Sequence, residues 1–152
     1  MLRSIIWLTC LVAIGCSRGS DQQEKAAPKS RFQPGQIWQY KTRPGEESSR
    51  LTIAKVESNP KLGTIVHIQV KDVAIKSAKA PGGLSKIISH LPFAEQALID
   101  SVTVMEKDNG NPTGWEDGYK QWKSAFDAGK GGIWSITVSE AVSSMEQILS
   151  KQ

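Results

Sequence analysis

The segment LTIAKVESNPKLGTIVHIQV, residues 51–70, decides the fold of this chain because it holds two strand patterns joined by a turn. Near both ends of the segment, β-branched and other apolar residues alternate with polar ones, which is the period of a β-strand. Residues 58–63, between the two patterns, include Asn, Pro and Gly, which favour turns. Two short strands joined in this way predict an antiparallel hairpin. His67 lies in the second strand, on the face opposite to Val66 and Ile68.

Shorter patterns on both sides of this hairpin extend the predicted sheet. Ile37 to Tyr40 is aromatic and β-branched and predicts a first strand. Arg43 to Ser49 contains Pro and Gly and predicts a turn that leads into the hairpin. Val73 and Ile75 predict either a short fourth strand or an extension of the third. The front half of the chain therefore predicts an antiparallel meander of about four strands.

Helical patterns dominate the second half of the chain. Pro92 is suited to the first turn of a helix, and apolar residues follow at helical spacing as far as Met105. Strand propensity in Val102 to Val104 favours an earlier end to this helix. A second helix is predicted behind a capping-box pattern at Thr113 to Glu116. Its apolar stripe, interpreted as core, consists of Trp115, Tyr119, Trp122 and Phe126.

A final helix completes the predicted fold. A second capping-box pattern, Thr137 to Glu140, opens this helix, and Ile133 to Ile136 predicts a short strand before it. Strands at the front and helices at the back favour an α+β fold over an alternating α/β fold. We therefore expect an α+β domain in which an antiparallel meander of about four strands carries about three helices on one face.

The first residues of the chain predict export and anchoring. Arg3, an apolar run and a small residue before Cys16 are typical of a secretory signal peptide, here residues 1–15. The stretch Leu11-Val-Ala-Ile-Gly-Cys16 resembles the lipobox of bacterial lipoproteins, whose cysteine is acylated and becomes the mature N-terminus. The resemblance implies that multiple acyl chains on Cys16 hold the protein firmly in a cell membrane, facing the periplasm. By the same resemblance, Ser17 favours the outer membrane of a Gram-negative cell.

The rest of the chain divides into a tether and one domain. Residues 16–31 are polar without apolar periodicity and predict a lipidated flexible tether, and residues 32–152 suit a single globular domain. Five of the 19 basic and two of the 15 acidic residues precede Phe32, so the domain carries 14 basic and 13 acidic residues. This near-neutral balance speaks against nucleic acid as a partner. Both cysteines, Cys10 and Cys16, lie in the export segment, which leaves the domain without thiol chemistry.

The domain also resembles a family of small bacterial proteins of unknown function, over residues 36–149. The stretches that carry the resemblance are Trp38-x-Tyr-x-Thr-Arg-Pro-Gly-Glu-Glu47, Ile65-Val-His-Ile68, His90-Leu-Pro-Phe93 and Gly118-Tyr-x-x-Trp122. This resemblance implies no activity, cofactor or catalytic residue. It implies that the domain occurs without a lipid anchor, so that the anchor sets location only.

Two histidines are the candidate catalytic residues, because a histidine beside a carboxylate can act as a base or bind a metal. His67 is interpreted first as a strand residue packed under a helix, and His90 as a partner for the start of the helix predicted at Pro92. The candidate carboxylates are Glu46, Glu47 and Glu57. Neither histidine has metal-binding spacing, so we predict no metal and no cofactor.

The polar run Arg43-Pro-Gly-Glu-Glu47 supplies the candidate binding residues Arg43, Glu46 and Glu47. It predicts either a solvated turn in which Arg43 pairs with one glutamate, or an exposed recognition loop. Any exposed tryptophan is a further candidate, since an indole stacks well on a sugar ring or a partner. The four tryptophans of the domain are Trp38, Trp115, Trp122 and Trp134.

Three functional hypotheses follow. The leading one is a lipid-anchored envelope protein whose domain binds another envelope protein or a cell-wall component without catalysis, since no phosphate-binding loop or nucleophile motif is present. The second is a small hydrolase or metal-dependent enzyme, which requires His67 and His90 to meet a carboxylate in one cleft. The third is glycan or peptidoglycan binding through an exposed tryptophan.

Overall fold

The computed structural model describes residues 29–151, which form a five-stranded antiparallel sheet and three helices. The predicted signal peptide, Cys16 and most of the predicted tether lie outside the described residues. The α+β class and the meander are confirmed. The elements are β1 (Ile37–Tyr40), β2 (Arg50–Asn59), β3 (Gly63–Lys76), β4 (Leu84–Ala94), α1 (Glu95–Ser101), β5 (Val102–Lys107), α2 (Glu116–Asp127) and α3 (Val138–Leu149).

The sheet has the order β4-β3-β2-β1-β5. The first four strands form the meander, and β5 pairs with β1 at the far edge after the chain has passed through α1. The predicted hairpin is β2 and β3, with Val56 opposite Val66 and Asn59 opposite Gly63. Gly63 has a φ of 75°, so the turn needs a residue without a Cβ there. Val73 and Ile75 extend β3 rather than forming a strand of their own.

The helices divide between the two faces of the sheet. On one face, α1 and α3 pack on the apolar side of β3, where Val66, Ile68 and Val138 are fully buried. On the other face, α2 lies over His67 and His90. The prediction of helices on one face therefore holds for α1 and α3 and not for α2. The reason is that β3 has fully buried side chains on both faces, and Tyr119 and Trp122 of α2 cover the face that carries His67.

The predicted helix at Pro92 is wrong in its first turn, because Pro92 and Phe93 belong to β4. β4 is an edge strand, where the missing N–H of proline costs no ladder hydrogen bond. The segment around Trp134 lies against this edge: the Trp134 N–H donates to the Pro92 carbonyl at 2.8 Å, and the Ala94 N–H donates to the Trp134 carbonyl at 2.9 Å. The predicted strand at 133–136 is reduced to a single parallel bridge between Phe93 and Trp134.

The two predicted capping boxes have different outcomes. Thr137 caps α3 as predicted, accepting from the Glu140 N–H, while the Glu140 carboxylate accepts from the Thr137 N–H at 2.9 Å. The box at Thr113 is wrong, because α2 begins at Glu116 with Trp115 as its N-cap and no side-chain cap. Within residues 29–151, no helix has the length and apolar character needed to cross a membrane.

Candidate functional site

His67 and His90 meet on the face of the sheet that α2 covers. His67 in β3 pairs with Pro92 in β4, and His90 lies two residues before Pro92, so both histidines point to the same side. His67 Nδ1 lies 2.9 Å from His90 Nε2, and the two rings stack with their centroids 5.1 Å apart. His67 is fully buried and His90 is half-buried. The pair is therefore a hydrogen-bonded unit that begins in the interior and ends near the surface.

Glu57 lies at the inner end of this pair. Its Oε1 is 3.4 Å from His67 Nε2, which allows electrostatic attraction although the geometry is not that of a well-formed hydrogen bond. Its Oε2 accepts from the Tyr119 hydroxyl at 2.9 Å and forms an ion pair with Lys55 Nζ at 2.8 Å. Lys55 also donates to the Tyr119 hydroxyl. We call Glu57, His67 and His90 the histidine relay.

α2 closes over the relay with aromatic rings. Tyr119 and Trp122 present their rings at steep angles to His67, with centroids 5.0 and 4.8 Å from the imidazole. Gly118 permits this approach, because a Cβ at this position would lie 2.8 Å from the His90 Cβ. Gln69, which is fully buried, donates to the Thr113 carbonyl at 2.8 Å and so fixes the segment that enters α2. Two members of the stripe interpreted as core, Tyr119 and Trp122, thus form a half-buried aromatic cover for the two imidazoles.

Burial sets the charge state of the relay. It lowers the pKa of His67 to about 4, against the opposing attraction of Glu57. Burial and the neighbouring His67 lower the pKa of His90 to about 4. Burial acts to raise the pKa of Glu57, but hydrogen bonds from Lys55 and Tyr119 outweigh it and lower the pKa below its usual value. At neutral pH both imidazoles are therefore neutral and Glu57 is ionised.

An open cavity of about 500 Å³ adjoins the outer end of the relay. We call it the His90 cavity. Its walls include His90 and two indoles, Trp122 and Trp134, with Gln121 among the polar groups, and no Asp, Glu, Lys or Arg side chain of the described chain lines it. Trp122 Nε1 donates to the Gly132 carbonyl at 2.7 Å, which holds the indole in place. The site thus combines a rigid aromatic surface with neutral polar groups.

The predicted candidates separate into two places. His67, His90 and Glu57 converge, whereas Glu46 accepts from the Ala74 N–H, seven positions along β3 from His67. The prediction that His90 bonds the start of a following helix is wrong, because β4 continues through His90 and its ring bonds His67 instead. The prediction that His67 is a strand residue under a helix is confirmed.

Arg43 and Glu46 form a structural link. Arg43 donates to both carboxylate oxygens of Glu46 and to Glu146 Oε2 at 2.7 Å, so the turn is tied to α3. Glu46 is only 5% exposed, and hydrogen bonds from Arg43 and Ala74 outweigh its burial and lower its pKa. The predicted pairing of Arg43 with Glu46 is confirmed. Glu47 is exposed and accepts from the Gly45 N–H at 2.9 Å, and its role in recognition stays a prediction.

Sequence reasoning missed the residues that complete the site. Lys55 shares a face with Glu57 and pairs with His67 across the hairpin. The strand patterns would predict this contact once the register of the hairpin is known. The helical spacing predicts Tyr119 and Trp122 as core residues, and no sequence pattern singles out Gln121. Among the tryptophans, Trp38 is buried, while Trp115, Trp122 and Trp134 are half-buried.

Neither a metal-binding cluster among the described residues nor a known relative identifies the site. Across residues 29–151, no three His, Cys, Asp or Glu side chains are grouped so that they could hold a metal ion. Comparison of the chain with protein-family models, with curated proteins and with solved structures gave no significant match. The family resemblance inferred from the sequence stays a prediction, and functional inference proceeds from the site itself.

Proposed function

We propose that this protein is a lipid-anchored envelope protein whose domain binds an uncharged envelope component in the His90 cavity, without catalysis. The observation that carries the proposal is the cavity itself, which combines two indoles with neutral polar groups and has no charged side chain in its described walls. Concave, largely apolar sites with a few polar groups are typical of ligand binding. The predicted anchor at Cys16 and the tether would hold this cavity within reach of membrane or cell-wall components.

The chemistry of the relay favours binding over catalysis. A general base works best when its pKa lies near the working pH, and burial places that of His90 at about 4. Ser89 also lines the cavity, but it precedes His90 in β4, and successive strand side chains point to opposite faces. His90 and Ser89 are therefore not arranged as a base and its nucleophile.

Site-specific photo-cross-linking in cells tests the binding proposal. A photoreactive residue at Gln121, on the cavity wall, should capture an envelope component in the lipidated protein. The matched control places the same residue at Lys120, which is exposed on α2 and does not line the cavity. Capture should decrease in a Cys16→Ser background, because the domain would no longer be held at the membrane. Equal capture from both positions, or none from Gln121, would contradict the proposal.

A hydrolase is the second candidate, because Glu57, His67 and His90 do converge as that hypothesis requires. Its test compares hydrolysis of activated esters by the parent protein and by His90→Ala. Loss of a measurable rate in the variant would favour catalysis, whereas equal background rates would leave binding as the function of the cavity.

A further inference from the structure

The histidine relay controls which nitrogen of His90 carries its proton. Glu57 is held ionised by Lys55 and Tyr119, which both act on Oε2, so that Oε1 is left facing His67 Nε2. A neutral imidazole has one N–H and one lone pair. A lone pair at Nε2 would be repelled by the carboxylate, and an N–H would be attracted. The proton of His67 therefore resides on Nε2.

The tautomer of His67 determines the tautomer of His90. Because His67 Nδ1 then carries the lone pair, the atom 2.9 Å away, His90 Nε2, must donate. The remaining nitrogen of His90, Nδ1, is left with a lone pair. This nitrogen lies on the side of Gly118, which lines the His90 cavity, and it bonds no other group of the described chain. Because His90 lines the cavity, the relay places an unshared hydrogen-bond acceptor on a residue of the cavity wall.

The other residues that line the cavity limit the class of ligand that can bind. A charged ligand would meet no opposite charge, since the described walls hold none and His90 is neutral at pH 7. A purely apolar ligand would cover the His90 acceptor and the Gln121 amide without replacing their hydrogen bonds to water. An uncharged sugar ring fits better than either ligand. Its C–H face stacks on an indole, and its hydroxyl groups donate and accept hydrogen bonds.

We propose that the His90 cavity binds an uncharged sugar ring, which stacks on Trp122 or Trp134 and donates a hydroxyl hydrogen bond to His90 Nδ1. This inference rests on the proposed binding function and assigns its ligand class. Glu57 and His67 act as positioning residues, because they fix the tautomer of His90 without touching the ligand. The sugar specificity of the cavity is therefore set partly by a carboxylate on the far side of a buried histidine.

The tautomer can be measured without any ligand. ¹⁵N NMR of the imidazole nitrogens in the intact protein at pH 7 should show a protonated Nε2 and an unprotonated Nδ1 for both histidines. In Glu57→Gln, the neutral amide can accept or donate, so the preference should weaken and a second tautomer of His67 should become populated. A proton on Nδ1 of His90 in the parent protein would overturn the proposal.

Binding is tested with chitotetraose, an uncharged N-acetylglucosamine oligomer, added to the intact protein while tryptophan fluorescence is followed. Loss of one hydrogen bond should weaken binding about tenfold in His90→Ala. His90→Gln, which restores an acceptor, should recover part of the affinity, and Trp134→Ala should weaken binding further. Lys120→Ala is the matched control, because Lys120 is exposed on α2, does not line the cavity and should leave affinity unchanged.

The outcomes separate this inference from the binding function itself. If chitotetraose does not bind but decanol, an uncharged alkyl-chain probe, does, the sugar assignment is overturned and the cavity remains a binding site. If neither probe binds and Gln121 captures nothing in cells, the binding function fails as well. Chitotetraose binding that survives His90→Ala unchanged would remove the hydrogen bond to Nδ1 from the proposal.

Discussion

Acid should destabilise this fold in a pH range where most proteins of this size are little affected. The pKa of His67 is about 4 in the folded protein, below its ordinary value of 6.5. The unfolded chain therefore binds more protons than the folded protein between these two values. Stability should be constant above pH 6.5 and should decrease as the pH falls from 6.5 toward 4.

The size of the effect follows from the difference between the two pKa values. Lowering the pH from 7 to 5 should reduce the free energy of unfolding by about 2 kcal/mol for one such histidine. His67 is fully buried and should contribute this amount, whereas the half-buried His90 should contribute less. The charged neighbours of His67 also affect its pKa, because protonated His67 would be attracted by Glu57 and repelled by Lys55. We expect a total loss of about 2–3 kcal/mol.

Urea unfolding at pH 7, 6 and 5, followed by tryptophan fluorescence, measures this loss. Carboxylates elsewhere also titrate near pH 5, so the control is a His67→Gln, His90→Gln variant, which keeps polar groups at both positions and cannot titrate there. The control should be less stable at pH 7 but should lose less than 1 kcal/mol between pH 7 and 5. Equal losses in both proteins, or a flat profile in the parent, would refute the assigned cause.

Four further substitutions, one of them a control, test the packing, each by urea unfolding at pH 7. Gly118→Ala should destabilise by about 1–3 kcal/mol despite the better helix propensity of alanine, because the new Cβ would lie 2.8 Å from the His90 Cβ; a more stable variant would contradict this. Arg43→Met should cost about 3 kcal/mol by leaving a buried carboxylate unpaired. Glu47→Gln in the same turn should change stability by less than about 0.5 kcal/mol, and comparable effects would disprove the structural link. Thr137→Ala should cost about 1 kcal/mol by removing the α3 cap, and no change would argue against it.

Local patterns predicted the parts of the fold that local interactions determine. Strand alternation in residues 51–70 defined the β2–β3 hairpin and separated Val66 and Ile68 from His67 correctly. The Thr137 to Glu140 capping box predicted the start of α3, because that motif is satisfied within four residues. In both cases the physical cause of the structure lies inside the segment itself.

β4 was missed because its cause lies elsewhere in the chain. Pro92 is equally suited to the first turn of a helix and to an edge strand, and its own neighbours do not decide between them. The segment forms a strand because it pairs with β3 on one side and with Trp134, through a single bridge, on the other. The meeting of His67 and His90 depends on the same pairing, since both histidines share a face only after β4 is aligned.

The attachment of α2 predicts that stability and the proposed ligand binding are coupled in this domain. α3 buries Val138, Ala141 and Val142 in an apolar core, whereas no residue of α2 is fully buried. α2 is held instead by rings packed on neutral imidazoles and by the Tyr119 contact with Glu57. Protonating the histidines weakens the support of α2 before it affects the opposite face, and α2 carries the Trp122 wall of the cavity. The loss of stability in acid and the loss of the binding surface should therefore occur together.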